Sequence, residues 1–223
     1  MSYTRFAIYY VPPEGDLARF GAAWLGWDVA LGQPADQFDI AQLDDVTMTP
    51  RKYGFHATLK PPFVLNAPHS FADLERAVAL MAAGCAPAVC DGLALGNLGG
   101  FLALRPVGGT AEIARVAAQC VTDLDPFRAP APEAELARRR AAGLSARQEA
   151  LLTRWGYPYV MEEFGFHMTL TGRLPDDARA HWQAMTEAHL PPLPAPFRLD
   201  QIALVGECVD GRFEVIQRYT LSG

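Results

Sequence analysis

Tyr53-Gly54-Phe55-His56-Ala57-Thr58-Leu59-Lys60-Pro61-Pro62 is answered half a chain later by Phe164-Gly165-Phe166-His167-Met168-Thr169-Leu170-Thr171. An aromatic residue, Gly, Phe, His, Thr and Leu recur in the same order, and the two histidines stand 111 residues apart. One long-period echo points to two related halves, since solenoid repeats are shorter and more numerous. Along a strand, alternate side chains share a face. The first copy then puts His56, Thr58 and Lys60 on one side, opposite Phe55, Ala57 and Leu59. The second puts His167, Thr169, Thr171 and Arg173 together, opposite Phe166, Met168 and Leu170. Each copy has an apolar face suited to packing and a polar face that packing does not explain.

Working outward, residues 5–11 are aromatic and β-branched and stop at Pro12-Pro13, which predicts a strand. Residues 16–26 predict an amphipathic helix closed by Gly26, and residues 27–52 give weak signals read as irregular. Ser70 caps a helix that runs to about Ala83. Two strands, 89–95 and 101–107, flank Gly99-Gly100, and Thr110 begins a helix to Leu124. Asp125 to Pro132 is a proline-rich break. Helices are expected over 133–142, 145–155 and 176–189, then a hairpin, 199–209 with 212–221, around Asp210-Gly211. The whole reads as one α+β domain of mainly antiparallel sheets with outer helices. The expected division is a first lobe over about 1–125, a helical insertion over about 126–155 and a second lobe over about 156–223.

A chain of 223 residues that is 50% hydrophobic has ample material for a core. Its formal charge of −6 speaks against an extended nucleic-acid surface, which needs concentrated positive charge, but leaves room for a locally basic pocket. Cys85, Cys90, Cys120 and Cys208 form no C-x-x-C pair and read as reduced core residues of a cytoplasmic protein. No leader or membrane-length apolar run is visible, so no membrane partner is expected. A monomer acting on a small phosphorylated substrate is the expectation.

The polar face suits phosphate. The Thr58 and Thr169 hydroxyls donate to phosphoryl oxygens, and Lys60 or Arg173 offsets charge. Two imidazoles move protons both ways, one as base and one as acid, because both protonation states are accessible near neutral pH. Such a pair needs no cofactor and no metal. A lone H-x-T-L reads first as a satisfied buried histidine, and two matched copies shift the weight to catalysis. Zinc ligation is the other reading for histidine, but neither motif brings a carboxylate on the His face. Tyr53 and Thr171 are candidate pocket residues beside Lys60 and Arg173. Tyr9 or Tyr10 could face the site from the first strand. Arg51 and Lys52 add charge that sequence cannot aim. Arg138-Arg139-Arg140 reads as a solvated helix face. His69, His181 and His189 read as surface or capping residues.

The paired His56-Ala57-Thr58-Leu59 and His167-Met168-Thr169-Leu170 resemble the two H-x-T-hydrophobic (HxTx) motifs of the 2H phosphoesterase superfamily. That resemblance implies a bilobal, pseudo-symmetric fold with the His/Thr pairs lining a central cleft. It also implies metal-independent cyclic phosphodiesterase chemistry. The stretches 5–13, 53–63, 155–159 and 166–174 are similar to a DUF1045-like branch of unknown function associated with phosphonate metabolism. This implies a small cyclic sugar phosphate, such as a ribosyl cyclic phosphate, or a nucleotide as substrate. RNA 2′,3′-cyclic phosphodiesterase or 2′-5′ RNA ligase-like end processing, and non-catalytic binding of a nucleotide or phosphosugar, are the alternatives. With Lys60 answered by Thr171, a cleft more basic on the first lobe is expected. Which histidine is acid and which is base stays open.

Overall fold

The computed structural model describes residues 3–223. It is α+β, with its sheets antiparallel throughout. Strand β1 (Phe6–Tyr10) leads to helix α1 (Asp16–Leu25), which ends at Gly26 in the left-handed conformation. The weakly patterned stretch after it is more ordered than its sequence suggests. It holds a short hairpin, β2 (Trp27–Asp28) with β3 (Gln33–Pro34), and helix α2 (Leu43–Arg51). Two aspartates, two threonines and Pro50 make α2 a poor helix by propensity. Its buried Leu43, Thr47 and Pro50 hold it in place.

Strand β4 (Ala57–Phe63) carries the first motif. Helix α3 (Phe71–Ala83) follows, its N-terminus closed by a capping box between Ser70 and Asp73. Next come β5 (Ala88–Cys90), β6 (Gly92–Leu98), β7 (Phe101–Val107) and α4 (Ala111–Asp123). Helices α5 (Glu133–Arg140) and α6 (Ala146–Trp155) lead to β8 (Met168–Thr169), the second motif. The chain finishes with α7 (Arg179–His189), β9 (Phe197–Leu199), β10 (Gln201–Glu207) and β11 (Phe213–Thr220).

The expected lobes, about 1–125 and 156–223, are not consecutive pieces of chain. One sheet has the order β11-β10-β1-β4, and the other β6-β7-β8. The C-terminal hairpin therefore builds the sheet of the first motif, and hairpin β6-β7 builds the sheet of the second. The repeat is β1-α1-β4-α3-β5-β6 against β7-α4-β8-α7-β9-β10, each half giving its last strand to the other's sheet. Equivalent strands β5 and β9 pair with each other, centred on Val89 opposite Arg198. The halves thus meet at the turn Gly99-Gly100, not at the proline-rich break. A core cluster runs through both sheets and α1, α3, α4 and α7, from Phe6, Ile8 and Trp24 to Leu104, Met168, Trp182 and Leu204. The indole N–H of Trp24 on α1 donates to the Leu170 carbonyl at 3.0 Å, tying one half to the other's motif.

Both motif strands break their alternation at the same place. Tyr9 sits opposite Thr58 but Ile8 sits opposite Lys60, a one-residue slip that marks a β-bulge. In the second motif Thr169 sits opposite Ala103, and the next two amides, of Leu170 and Thr171, both donate to the Leu102 carbonyl, at 2.8 and 3.3 Å. Two residues oppose one in each case. Past a bulge the side chain turns to the other face, so Lys60 and Thr171 point into the protein.

Candidate active site

A cleft of about 620 Å³ is lined by His56, Thr58, His167 and Thr169 together with Arg5, Tyr9, Lys52, Tyr53, Arg138, Arg139 and Tyr157. A narrower arm of about 270 Å³ continues past Tyr53 and His56 to Phe101, Thr169, Thr171 and Arg173. The two copies of the motif, distant in sequence, therefore face one cavity.

Each histidine is anchored in the same way. His56 Nδ1 lies 2.9 Å from the Gly54 carbonyl oxygen, and His167 Nδ1 lies 2.7 Å from that of Gly165. A carbonyl only accepts, so both Nδ1 atoms carry hydrogen. In the neutral ring Nε2 is then the free base. His56 Nε2 is 3.0 Å from Thr58 Oγ1, so the hydroxyl donates to it.

Beyond that anchor the two rings differ. The Tyr9 ring lies flat on His56, centroids 3.8 Å apart at 23°. Burial pushes the His56 imidazole down to about 4, although the Gly54 carbonyl favours the proton, and the nearby His167 lowers it further. His56 is thus neutral at physiological pH. The aromatic ring beside His167 is Phe101, tilted at 56° with centroids 5.9 Å apart, and it does not stack on the imidazole. The cause lies in the neighbouring strands. Thr58 is paired with Tyr9 on β1, whereas the equivalent Thr169 is paired with Ala103 on β7. Tyr9 is itself fully buried and its hydroxyl has no hydrogen-bond partner among the described residues.

The other candidate residues divide. Tyr53 lines the cleft, its ring 6.1 Å from His56. Arg173 is exposed and lines the narrow arm. Lys60 is not a cleft residue. Only 1% exposed, it donates from Nζ to the Val121 carbonyl at 3.1 Å and lies 3.9 Å from Asp125. Burial lowers its pKa to about 8, against the pull of Asp125. The bulge is the reason: Lys60 shares the helix-side face with Ile8. Thr171 is likewise turned in, and its Oγ1 accepts from the Leu102 amide at 3.0 Å. It touches the narrow arm while its hydroxyl supports β7. The expected bias of positive charge from Lys60 therefore fails.

The positive charge comes instead from residues that the sequence did not aim. Arg138 and Arg139, read as a solvated face, line the cleft, while Arg140 turns away to Glu133 and Glu149. Lys52 also lines it, its Nζ 4.5 Å above the Tyr53 ring. Arg51 instead braces α1 and α2 through the Leu25 and Asp44 carbonyls. Arg5 makes a two-pronged pair with Glu207 at 2.5 and 2.6 Å. The only signal that could have pointed to α5 was its lack of an apolar face combined with a run of arginines. All four cysteines are free, three of them buried. No helix among the described residues is long and apolar enough to cross a membrane.

The chain matches, over residues 58–214, the model of a family described as Protein of unknown function (DUF1045), and it belongs to that family. It is 44% identical over 179 residues to a Janthinobacterium sp. (strain Marseille) protein named ribose 1,5-bisphosphate phosphokinase PhnN, covering 78% of this chain and 40% of that protein. A protein of the same name from Laribacter hongkongensis (strain HLHK9) is 38% identical over 189 residues, covering 83% and 44%. The chain thus spans about two-fifths of the length of the curated relatives it matches. Among solved structures it is similar to E. coli LigT in apo form, at 13% identity and a TM-score of 0.47, with all of both chains covered. E. coli LigT complexed with 3′-AMP gives 13% and 0.45, also over all of both chains.

Proposed function

We propose that this protein is a phosphoesterase of the 2H type that opens a cyclic phosphodiester of a small sugar phosphate or nucleotide, without a metal. The observation that supports this most directly is the pair of imidazoles lining one cleft, each with Nδ1 tied to a backbone carbonyl and each with a threonine hydroxyl two residues on. Water attacks phosphorus, and His56 Nε2 takes its proton. The bond from phosphorus to one ring oxygen breaks, and His167 gives a proton to that leaving oxygen. The product is a phosphomonoester, and the two histidines have exchanged protonation states, which solvent restores. His56 is the base in this direction because burial keeps it neutral. The role of acid then falls to His167. When substrate and water enter, the Thr58 hydroxyl turns from His56 Nε2 to the phosphoryl group, and with the Thr169 hydroxyl it donates to the oxygens on which charge builds in the transition state.

The relatives' name describes proteins more than twice as long as the matched region, so kinase chemistry does not transfer with it. This chain has two lysines, after Arg51 and Leu59, and neither follows a glycine, so it lacks the Gly-Lys pair of a phosphate-binding P-loop. The ribose bisphosphate in the relatives' name supports reading the substrate as a ribosyl cyclic phosphate and the role as one in phosphonate metabolism.

The test is a phosphorus NMR screen of cyclic phosphates with chelator present. Turnover is expected with chelator, and His56→Ala or His167→Ala should each lower it by about 10²–10⁴-fold, the usual share of one general acid or base. Full activity in either variant overturns the two-histidine mechanism.

A further inference from the structure

The cleft holds more positive charge than one cyclic diester, with its single negative charge, requires. Arg5, Lys52, Arg138 and Arg139 all line it and no carboxylate does, in a chain of formal charge −6. They converge from three separate places: just before β1, the end of α2 and the last turn of α5. Two are held rigidly. Arg5 is locked on Glu207 by two hydrogen bonds. Arg139 bonds Glu135 at 2.6 Å and sits 4.7 Å over the Tyr157 ring, yet its buried Nε–H has no partner among the described residues. The other two, Lys52 and Arg138, have no carboxylate within ion-pair distance among the described residues. Helix α5 contributes no buried residue to the fold. Its contribution to the cleft is charge.

We infer that this basic wall is a second anion subsite, and that the substrate carries a phosphomonoester in addition to the cyclic diester held between the histidines. Lys52, Arg138 and Arg139 bind that group, which has a charge of about −1.5 to −2 at neutral pH. Guanidinium groups suit it because they offer paired donors to phosphate oxygens. Tyr53 and Tyr157 flank the sugar between the two groups. The inference relies on the proposed reaction only for where the diester sits.

The probes are methyl ribofuranoside 2,3-cyclic phosphate and the same compound with a 5-phosphate, with calorimetric binding measured on His167→Ala. The 5-phosphate is expected to tighten binding at least about tenfold at low salt, the scale of one charge-assisted phosphate contact. That ratio should fall below about threefold in Lys52→Gln and in Arg138→Gln/Arg139→Gln, and it should shrink with added salt. Arg76→Gln, on the exposed face of α3, keeps it. An equal affinity for the two probes, no detectable binding of the 5-phosphate, or an undiminished ratio in both cleft variants overturns the subsite. A cyclic-ended dinucleotide, whose second phosphate is a singly charged diester, should bind less tightly than the 5-phosphate. The reverse order would assign the wall to an oligonucleotide end and overturn the monoester. Turnover by the unmodified protein is read in parallel. A ratio without hydrolysis of either probe counts against the two-histidine reaction alone, and hydrolysis without a ratio counts against the subsite alone.

Discussion

Gly54 and Gly165 occupy the same place in the repeat, and only one of them needs to be glycine. Gly54 has φ +69°, and a Cβ there would lie 2.4 Å from Val29 Cβ. At Gly165 nothing lies within 4 Å. Gly54→Ala should therefore cost at least about 1–2 kcal/mol for the left-handed backbone alone. It should also lower turnover, because the Gly54 carbonyl orients His56. Gly165→Ala should stay within about 0.5 kcal/mol in urea unfolding. The histidines differ in the same hidden way. Since burial holds His56 near 4, the acid limb of the pH–rate profile is expected near pH 4 rather than 6.5. Tyr9→Ala uncovers the ring, relieves the desolvation and should move that limb upward, by a readout that loss of packing alone would not shift. Below about pH 6.5 the unfolded chain takes up the His56 proton before the folded one does. The melting temperature should rise with pH from about 4 to 6.5, and His56→Ala should flatten that rise.

Strand β4 shows what alternation leaves out. The motif reads His56, Thr58, Lys60 as one face, and for His56 and Thr58 that reading holds. The slip between Thr58 and Lys60 turns the lysine onto the Val121 carbonyl, and Thr171 meets the Leu102 amide by the same device. A bulge is a property of the pairing between two strands, so one strand's own sequence does not reveal it. Lys60→Met keeps the volume and removes a buried charge. Turnover is expected within about threefold of the unmodified protein, while stability should fall by about 1–3 kcal/mol in urea unfolding, because the Val121 carbonyl loses its donor. A loss of two orders of magnitude in turnover would return Lys60 to the site. Helix α5 teaches the converse. Its three arginines are chemically alike, and only the path of the chain after the proline-rich break decides that Arg138 and Arg139 meet the cleft while Arg140 does not.

The exchange of β6 and β10 between halves predicts that the molecule unfolds as a single cooperative unit. A chain divided at Gly99-Gly100 leaves each fragment with a strand that belongs to the other's sheet. Neither fragment is expected to give a cooperative melt alone, and the two co-expressed should form a one-to-one complex that restores activity. A cooperative melt of residues 100–223 by themselves would contradict this. Local pattern was enough to determine the α+β class, most helix ends, and the two strands that bear Thr58 and Thr169 with His56 and His167 just before them, because helix caps, turn residues and strand alternation act over a few neighbours. Tertiary structure alone decided that the lobes are interleaved and that Lys60 and Thr171 turn inward. It also decided that Tyr9 covers one histidine while Ala103 leaves the other open, and that α5 supplies two of the cleft's four cations. Each of these depends on which distant segment lies opposite, and the shared His-x-Thr-Leu core of the two motifs reads alike until its neighbours are known.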